Sequence, residues 1–228
     1  MKLFLGIFAI ILQLLPVFSQ NVNKRIDVGL KGGFNSDICM IDEFNIGGNI
    51  IDYSENIYRV GLSTSLFMRL NLGKTYLQLE PSYHFSRGGL EFSFFNAKRE
   101  SNLANLSWEF NSLSSPLLFG YHLIKEPPYG LNCFVGPKIS RIFQSNNNFS
   151  IDIDNYPLKF DFKSVSFSAV IGIGLNISGL FFDFRYELGL SHTLNDITYI
   201  NPFAENPFGK IHLKNRMNSM SFLLGYIF

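Results

Sequence analysis

The stretch Asn218-Ser-Met-Ser-Phe-Leu-Leu-Gly-Tyr-Ile-Phe228 decides the fold. From Met220 every second residue, namely Met220, Phe222, Leu224, Tyr226 and Phe228, is large and apolar. Ser219, Ser221 and Gly225 between them are small or polar, and only Leu223 and Ile227 break the pattern. Side chains alternate faces along a β-strand, so this segment has one greasy face and one small face. An outward apolar row ending in aromatic interface residues is what closes an outer-membrane barrel. Phe222, Leu224, Tyr226 and Phe228 are accordingly expected to be the C-terminal signal for assembly, which makes the barrel-assembly machinery a partner.

The other end reads as a secretory signal peptide. Lys2 supplies the positive charge, Leu3–Leu15 is apolar apart from Gly6 and Gln13, Pro16 breaks the run, and Ser19 offers a small residue for cleavage before Gln20. The apolar run is shorter than the roughly 18–20 residues that a helical span needs. No cysteine follows it to take a lipid. The expected organisation is therefore residues 1–19 as signal peptide and residues 20–228 as one domain.

Hydrophobic residues make up 46% of the chain, yet after residue 20 no apolar run is long enough for a membrane helix. Aromatics reach 16%, with 25 Phe and 10 Tyr, which suits lipid-facing strands and interface girdles. A net charge of +1 points to no nucleic acid. Cys39, expected in a loop, and Cys133, expected to face lipid, suggest two free thiols and no metal cluster.

Eight alternating segments follow one another. They are Arg25–Phe34, Tyr58–Leu70, Thr75–Phe85, a fourth ending over residues 113–123, Tyr129–Ile142, a sixth over residues 165–176, a seventh over residues 180–191, and the terminal strand. In the second, Val60, Leu62, Leu66, Met68 and Leu70 face one way and Arg59, Gly61, Ser63, Ser65 and Arg69 the other. In the seventh, Leu180, Phe182, Phe184, Tyr186, Leu188 and Leu190 oppose Asp183, Arg185, Glu187, Gly189 and Ser191. Short connections (71–74, 124–128, 177–179) alternate with long gaps (about 35–57, 86–106, 143–161 and 192–217), as turns and loops do in such barrels. A β-sandwich shares the period but lacks that loop asymmetry. The expectation is an all-β, eight-stranded, antiparallel, up-and-down transmembrane barrel, monomeric, in outer-membrane lipid, with both termini periplasmic.

With its strands laid out, the chain resembles the PorT-like outer-membrane β-barrel family of Bacteroidota. The likeness rests on Val28-Gly-Leu-Lys-Gly-Gly-Phe34, Pro116-Leu-Leu-Phe-Gly-Tyr121, Phe134-Val-Gly-Pro137, Gly172-Ile-Gly-Leu175, Arg185-Tyr-Glu-Leu-Gly-Leu190 and Gly225-Tyr-Ile-Phe228, in that order. Ser115 departs from the apolar residue usual before the proline of the fourth strand. The resemblance implies the barrel fold and, through the family's name, an accessory role beside secretion-system proteins.

Alternation places Lys31, Arg59, Arg69, Lys138 and Arg185 on the inward face with Asp27, Glu80, Asp183 and Glu187. In a narrow tube these groups are expected to pair into an ionic plug, with Arg185 as its anchor. Glu80, Ser82 and His84 also share the inward face. At roughly 6.6 Å between alternate residues, Ser82 and His84 lie too far apart for a ready hydrogen bond, so luminal filling is expected and not an esterase. His192 and His212 lack a ligand cluster, and Asn201-Pro-Phe and Asn206-Pro-Phe read as turns packing on the rim. No cofactor, catalytic or metal motif is found. Two functions remain: a non-enzymatic barrel acting through protein contacts, or a small-ligand site or narrow conduit.

Overall fold

A computed structural model describes residues 25–46, 49–50, 54–95, 101–151, 154–156, 158–159, 163–193, 197–200 and 208–228. Eight long strands carry the architecture. They are β1 (Ile26–Ile46), β2 (Val60–Leu72), β3 (Thr75–Leu79, resuming as Ser82–Phe95), β4 (Ser101–Glu126), β5 (Tyr129–Ile151), β6 (Val165–Ile177), β7 (Leu180–Gly189) and β8 (Phe208–Ile227). Each pairs antiparallel with the next, and β8 returns to β1 with Gly29 opposite Ile227 and Phe34 opposite Phe222. The ring is closed, so no membrane-level edge is left to template aggregation.

Local chemistry explains the tight-turn end. The β2–β3 turn uses Gly73 at φ +76°, which costs a glycine little. Ser178 (φ 50°) and Gly179 (φ 89°) join β6 to β7 with positive φ at both central positions, the geometry that matches strand twist in a two-residue hairpin. The Asn176 side-chain oxygen accepts from the Gly179 amide at 3.2 Å and steadies that turn. Pro81 interrupts β3 because it has no N–H to give. The ladder survives around it: the Leu66 amide donates to the Pro81 carbonyl and the Glu80 amide to the Pro116 carbonyl.

The opposite end differs from the expected loops. Much of each long gap is strand, since β1 runs to Ile46, β3 to Phe95 and β5 to Ile151, while β4 starts at Ser101 and β8 at Phe208. Short strands Asn49–Ile50, Ser54–Tyr58, Asp154–Tyr156, Leu158–Lys159 and Ile197–Ile200 extend them. Beyond the bilayer the outer face meets water, so the apolar row fades although the hydrogen-bond ladder continues and Leu90, Phe92, Leu106 and Trp108 stay buried. Cys39 illustrates the correction: it is buried in β1 and not in a loop. The Asn56 side chain holds its amide and carbonyl at 2.9 and 3.1 Å, and Asn215 donates to its sulfur. Both cysteines are free. Residues 1–19, both Asn-Pro-Phe tripeptides (save that β8 begins at Phe208) and the side chain of His212 lie outside what is described.

The outer wall is apolar. Leu30 and Phe34 of β1, Val60 to Leu72 on alternate residues of β2 (Thr64 apart), and Phe167, Ile171, Ile173 and Leu175 of β6 are all exposed. A continuous apolar belt of this size on a water-soluble protein would be an association hazard; around a barrel it is the lipid contact.

The interior contains a layer that alternation alone did not reveal. Phe67, Tyr76, Phe134, Phe181 and Trp108 point inward and are buried. Each lies opposite a glycine on the neighbouring strand: Gly29, Gly120, Gly172, Gly225 and Gly88, respectively. A Cβ at Gly120 would fall inside the Tyr76 ring, so the ring occupies the space that the glycine leaves. Tyr76, Leu118, Phe134 and Val170 form one apolar cluster in this wall.

Candidate functional site: a charged layer in the lumen

The strands bring four of the expected charges to one point. Glu80, 1% exposed, sits beside the Pro81 break and accepts five hydrogen bonds. Arg185 of β7 grips it with two parallel contacts of 2.8 Å, Lys31 of β1 donates at 2.9 Å, Gln78 at 2.8 Å and Ser65 at 3.0 Å. Asp183 completes the group by accepting from Lys31 at 2.6 Å and from Arg185 at 2.8 Å. Two cations meet two anions here, so these four charges cancel. Fork-on-carboxylate geometry of this kind is directional as well as strong.

Aromatic rings frame the cluster. The Lys31 ammonium lies 4.9 Å from the centres of both the Phe67 and Phe181 rings, which themselves pack edge to face. The Arg185 guanidinium lies 5.2 Å from Phe134. Ring faces offset part of what these cations lose on leaving water. Alternation placed the charges on the inner face; the pairing of each ring with a glycine across the strand was the unused signal for the rings.

The remaining charges divide. Arg69 donates to Gln78 at 2.8 Å, joining the cluster through that amide, and stacks 4.2 Å from Tyr76. Lys138 and Glu187 form a second pair, with contacts of 2.9 and 2.7 Å, nearer the long-strand end. Of the two carboxylates flanking Arg185 on its own strand, Asp183 contacts it while Glu187 pairs with Lys138. Asp27 accepts from Asn71 at 2.7 Å in the vestibule at the tight-turn end, apart from the charged layer. Arg59 is a correction: it is exposed at the break between Ser54–Tyr58 and β2. Leu62 pairs with Phe85 but Tyr58 pairs with Gly88, so β2 has one residue more than β3 over this span. That bulge shifts the alternation and turns Arg59 outward.

Ser82 and His84 also differ from expectation. His84 Nε2 lies 3.3 Å from Ser82 Oγ, close enough for a hydrogen bond across alternate residues. The same nitrogen faces the Lys138 ammonium at 3.5 Å, and Ser82 Oγ lies 2.9 Å from Ser114 Oγ. The nearby carboxylate, Glu187, is bound to Lys138 and does not orient the imidazole. A nucleophile needs its base held by a third group, and this carboxylate holds a lysine instead.

Around this layer lies a chamber of about 60 Å³ toward the long-strand end, lined by Asn35, Asp37, Ser86, Ser112 and Ser168 among others. A water needs roughly 10–15 Å³ of such space, so the chamber has room for a few waters and not for a drug-sized ligand. At the C-terminal strand, Phe222, Leu224 and Tyr226 face outward, and Phe228 meets Tyr226 edge to face at 5.5 Å while its amide donates to the Val28 carbonyl. Leu223, an exception to alternation, is buried inside.

A closed eight-stranded ring, apolar outside and charged inside, with tight turns at one end, defines a transmembrane β-barrel of the bacterial outer-membrane class. Residues 18–195 match the outer membrane protein beta-barrel domain family. The chain belongs to that family, and its place is the outer membrane. No curated protein matches it. Among solved structures it is similar to OprG from Pseudomonas aeruginosa, at 13% identity over 90% of this chain and 97% of that one, with a TM-score of 0.52. Neisserial surface protein A (10% identity, 90% and 98% coverage, TM-score 0.42) and the outer membrane protease OmpT from Escherichia coli (10%, 92% and 99%, 0.44) are also matched. At these identities the likeness is one of fold.

Proposed function

We propose that this is a sealed, non-enzymatic barrel that works through protein contacts at its rim, in a PorT-like accessory role beside secretion-system proteins. The observation that supports it most is the neutral cluster of Lys31, Glu80, Asp183 and Arg185 spanning β1, β3 and β7 across the lumen. An eight-stranded barrel leaves a lumen that side chains can fill, and here charges and rings fill it together. Such a filling favours a plug over a conduit.

On this reading residues 1–19 are cleaved, residues 20–228 insert as a monomer, and the barrel-assembly machinery reads Phe222, Leu224, Tyr226 and Phe228. The test has two arms. Pure protein in planar bilayers should give no stable conducting steps. Crosslinking in native outer membranes should then recover secretion components with the barrel. Steady single-channel steps would overturn the plug, and purification alone with a bound small molecule would favour a ligand-binding barrel. Removing Phe228 should leave protease-sensitive periplasmic protein, and normal membrane levels of the truncated chain would refute its role in assembly.

A further inference from the structure

The lipid-facing wall is not uniform. A groove of about 670 Å³ crosses β8, β1, β2 and β3, with Gly32 and Thr64 as its floor and Phe34, Leu62, Tyr83 and Phe222 among its walls. Gly32 interrupts the outward row of β1, between Leu30 and Phe34, and pairs with Thr64 on one side and Leu224 on the other. A Cβ added at Gly32 would meet nothing nearer than 3.9 Å, so the gap exists because the residue is small and not because anything crowds it. The Thr64 hydroxyl donates back to the Lys31 carbonyl at 3.2 Å, which keeps its polar group on the wall.

The end of this groove nearer the long strands is basic. One step beyond Phe85, Arg87 projects outward, its guanidinium 4.8 Å from the Phe85 ring and its Nε 3.1 Å from Glu109. On the adjacent strand the bulge turns Arg59 to the same outer surface, where it makes no ion pair among the described residues. At the top of the apolar trough two guanidinium groups and one carboxylate leave a local excess of one positive charge, with Glu55 and Glu91 opposite each other four residues farther toward the long-strand end. An apolar trough at membrane depth with cations at one interface has the outline of an anionic lipid.

We propose that this groove binds a phosphate-bearing lipid of the outer leaflet, with one acyl chain lying over Gly32 and Thr64 and the phosphate held by Arg59 and Arg87. Each strand residue rises about 3.3 Å, and Arg87 and Arg59 stand two and three residues beyond Phe85 and Leu62 at the top of the trough, where a headgroup begins. Guanidinium forks suit phosphate oxygens, and the aromatic ring under Arg87 fixes its plane.

The experiment titrates delipidated barrel in neutral detergent with lipid A or with phosphatidylcholine and reads bound lipid by native mass spectrometry. The wild-type protein is expected to hold one lipid A with a preference of roughly ten-fold over phosphatidylcholine, about the effect of one charge-assisted contact. Arg59→Ala with Arg87→Ala should lose that preference while keeping heat-modifiable migration. Gly32→Leu should weaken both lipids by filling the trough. Unchanged lipid A binding in the double variant, or equal binding of the two lipids by wild type, overturns the proposal. So does a lipid-free dimer that Gly32→Leu abolishes, which would make a second copy the occupant.

Discussion

Two layers of one lumen, only a few residues apart along the same strands, are filled in different ways. Around Glu80, charges and rings interlock: five donors reach one carboxylate, and Phe67, Phe134 and Phe181 face the cations. One step toward the long-strand end, around the Lys138–Glu187 pair, the lining changes to Ser86, Ser112, Ser140, Ser166 and Ser168, and Asn35 Oδ1 and Asp37 Oδ2 have no hydrogen-bond partner among the described residues. The first layer depends on each of its members, whereas small hydroxyls beside solvent can substitute for one another. Mutational sensitivity should therefore fall steeply from one layer to the next.

The largest effect is expected at Arg185. Arg185→Leu leaves Lys31 alone to neutralise Glu80 and Asp183. Removing one member of a buried ion cluster costs about 3–5 kcal/mol, and the loss should appear as a lower unfolding temperature in detergent. Adding Glu80→Leu leaves the Lys31–Asp183 pair intact and should recover part of that loss, since a matched apolar replacement is often near neutral. An unchanged melting curve for Arg185→Leu would mean that the two layers are energetically alike.

Ring and glycine pairs come next. Gly120→Val pushes a side chain into Tyr76, and overpacking of that kind costs about 1–3 kcal/mol. In a Gly120→Val, Tyr76→Ala double variant the cost should be less than the sum of the singles, because Tyr76→Ala removes the clash and the valine fills part of the cavity it leaves. Strict additivity in the melting temperatures would show that the ring does not depend on the glycine.

The outer wall of this molecule was legible in its sequence, and the inner filling only in part. Lipid imposes one demand, apolar at every second residue, so Leu180, Phe182 and Phe184 or Ile171, Ile173 and Leu175 announce their face directly. The lumen imposes a volume condition shared between strands. Leu66-Phe67-Met68 and Tyr76-Leu77 look like lapses in alternation until Gly29 and Gly120 are set beside Phe67 and Tyr76 in register. Charge could be assigned to the inside by parity, and that places Lys31, Glu80, Asp183 and Arg185 together. Parity carries no further than the nearest bulge: one extra residue turned Arg59 outward. Nor does periodicity mark strand length beyond the bilayer, where β1 continues through the buried Cys39 without a lipid-facing row to announce it.

Within the serine-lined layer, Ser112→Ala and Ser168→Ala should each change stability by less than about 0.5 kcal/mol. A loss there comparable to Arg185→Leu, measured under the same detergent conditions, would remove the contrast between the layers.

The smallest effect belongs to the seam between β1 and β8 beyond the apolar belt, where pairing is wet. The register slips between Ile41 and Glu43, and Asp42, the residue left over, meets Arg216 through contacts of 3.0 and 2.7 Å, with His192 Nδ1 at 3.6 Å. Lys214 and Glu43 form the next rung at 2.7 Å. The hydrogen bonds from Arg216 hold the Asp42 carboxyl below its ordinary range. A depressed folded-state pKa stabilises the ionised form, so the contribution is complete above the unfolded value of about 4 and is lost as pH falls through the folded value. Asp42 and Arg216 are open to solvent, and salt should screen the pair. Asp42→Asn should consequently melt slightly below wild type at neutral pH and low salt, with the gap closing under acid and in high salt. A gap that persists at pH 2, or that grows with salt, would show that the seam is held by packing and not by this pair, and would bring it closer in kind to the layer around Glu80.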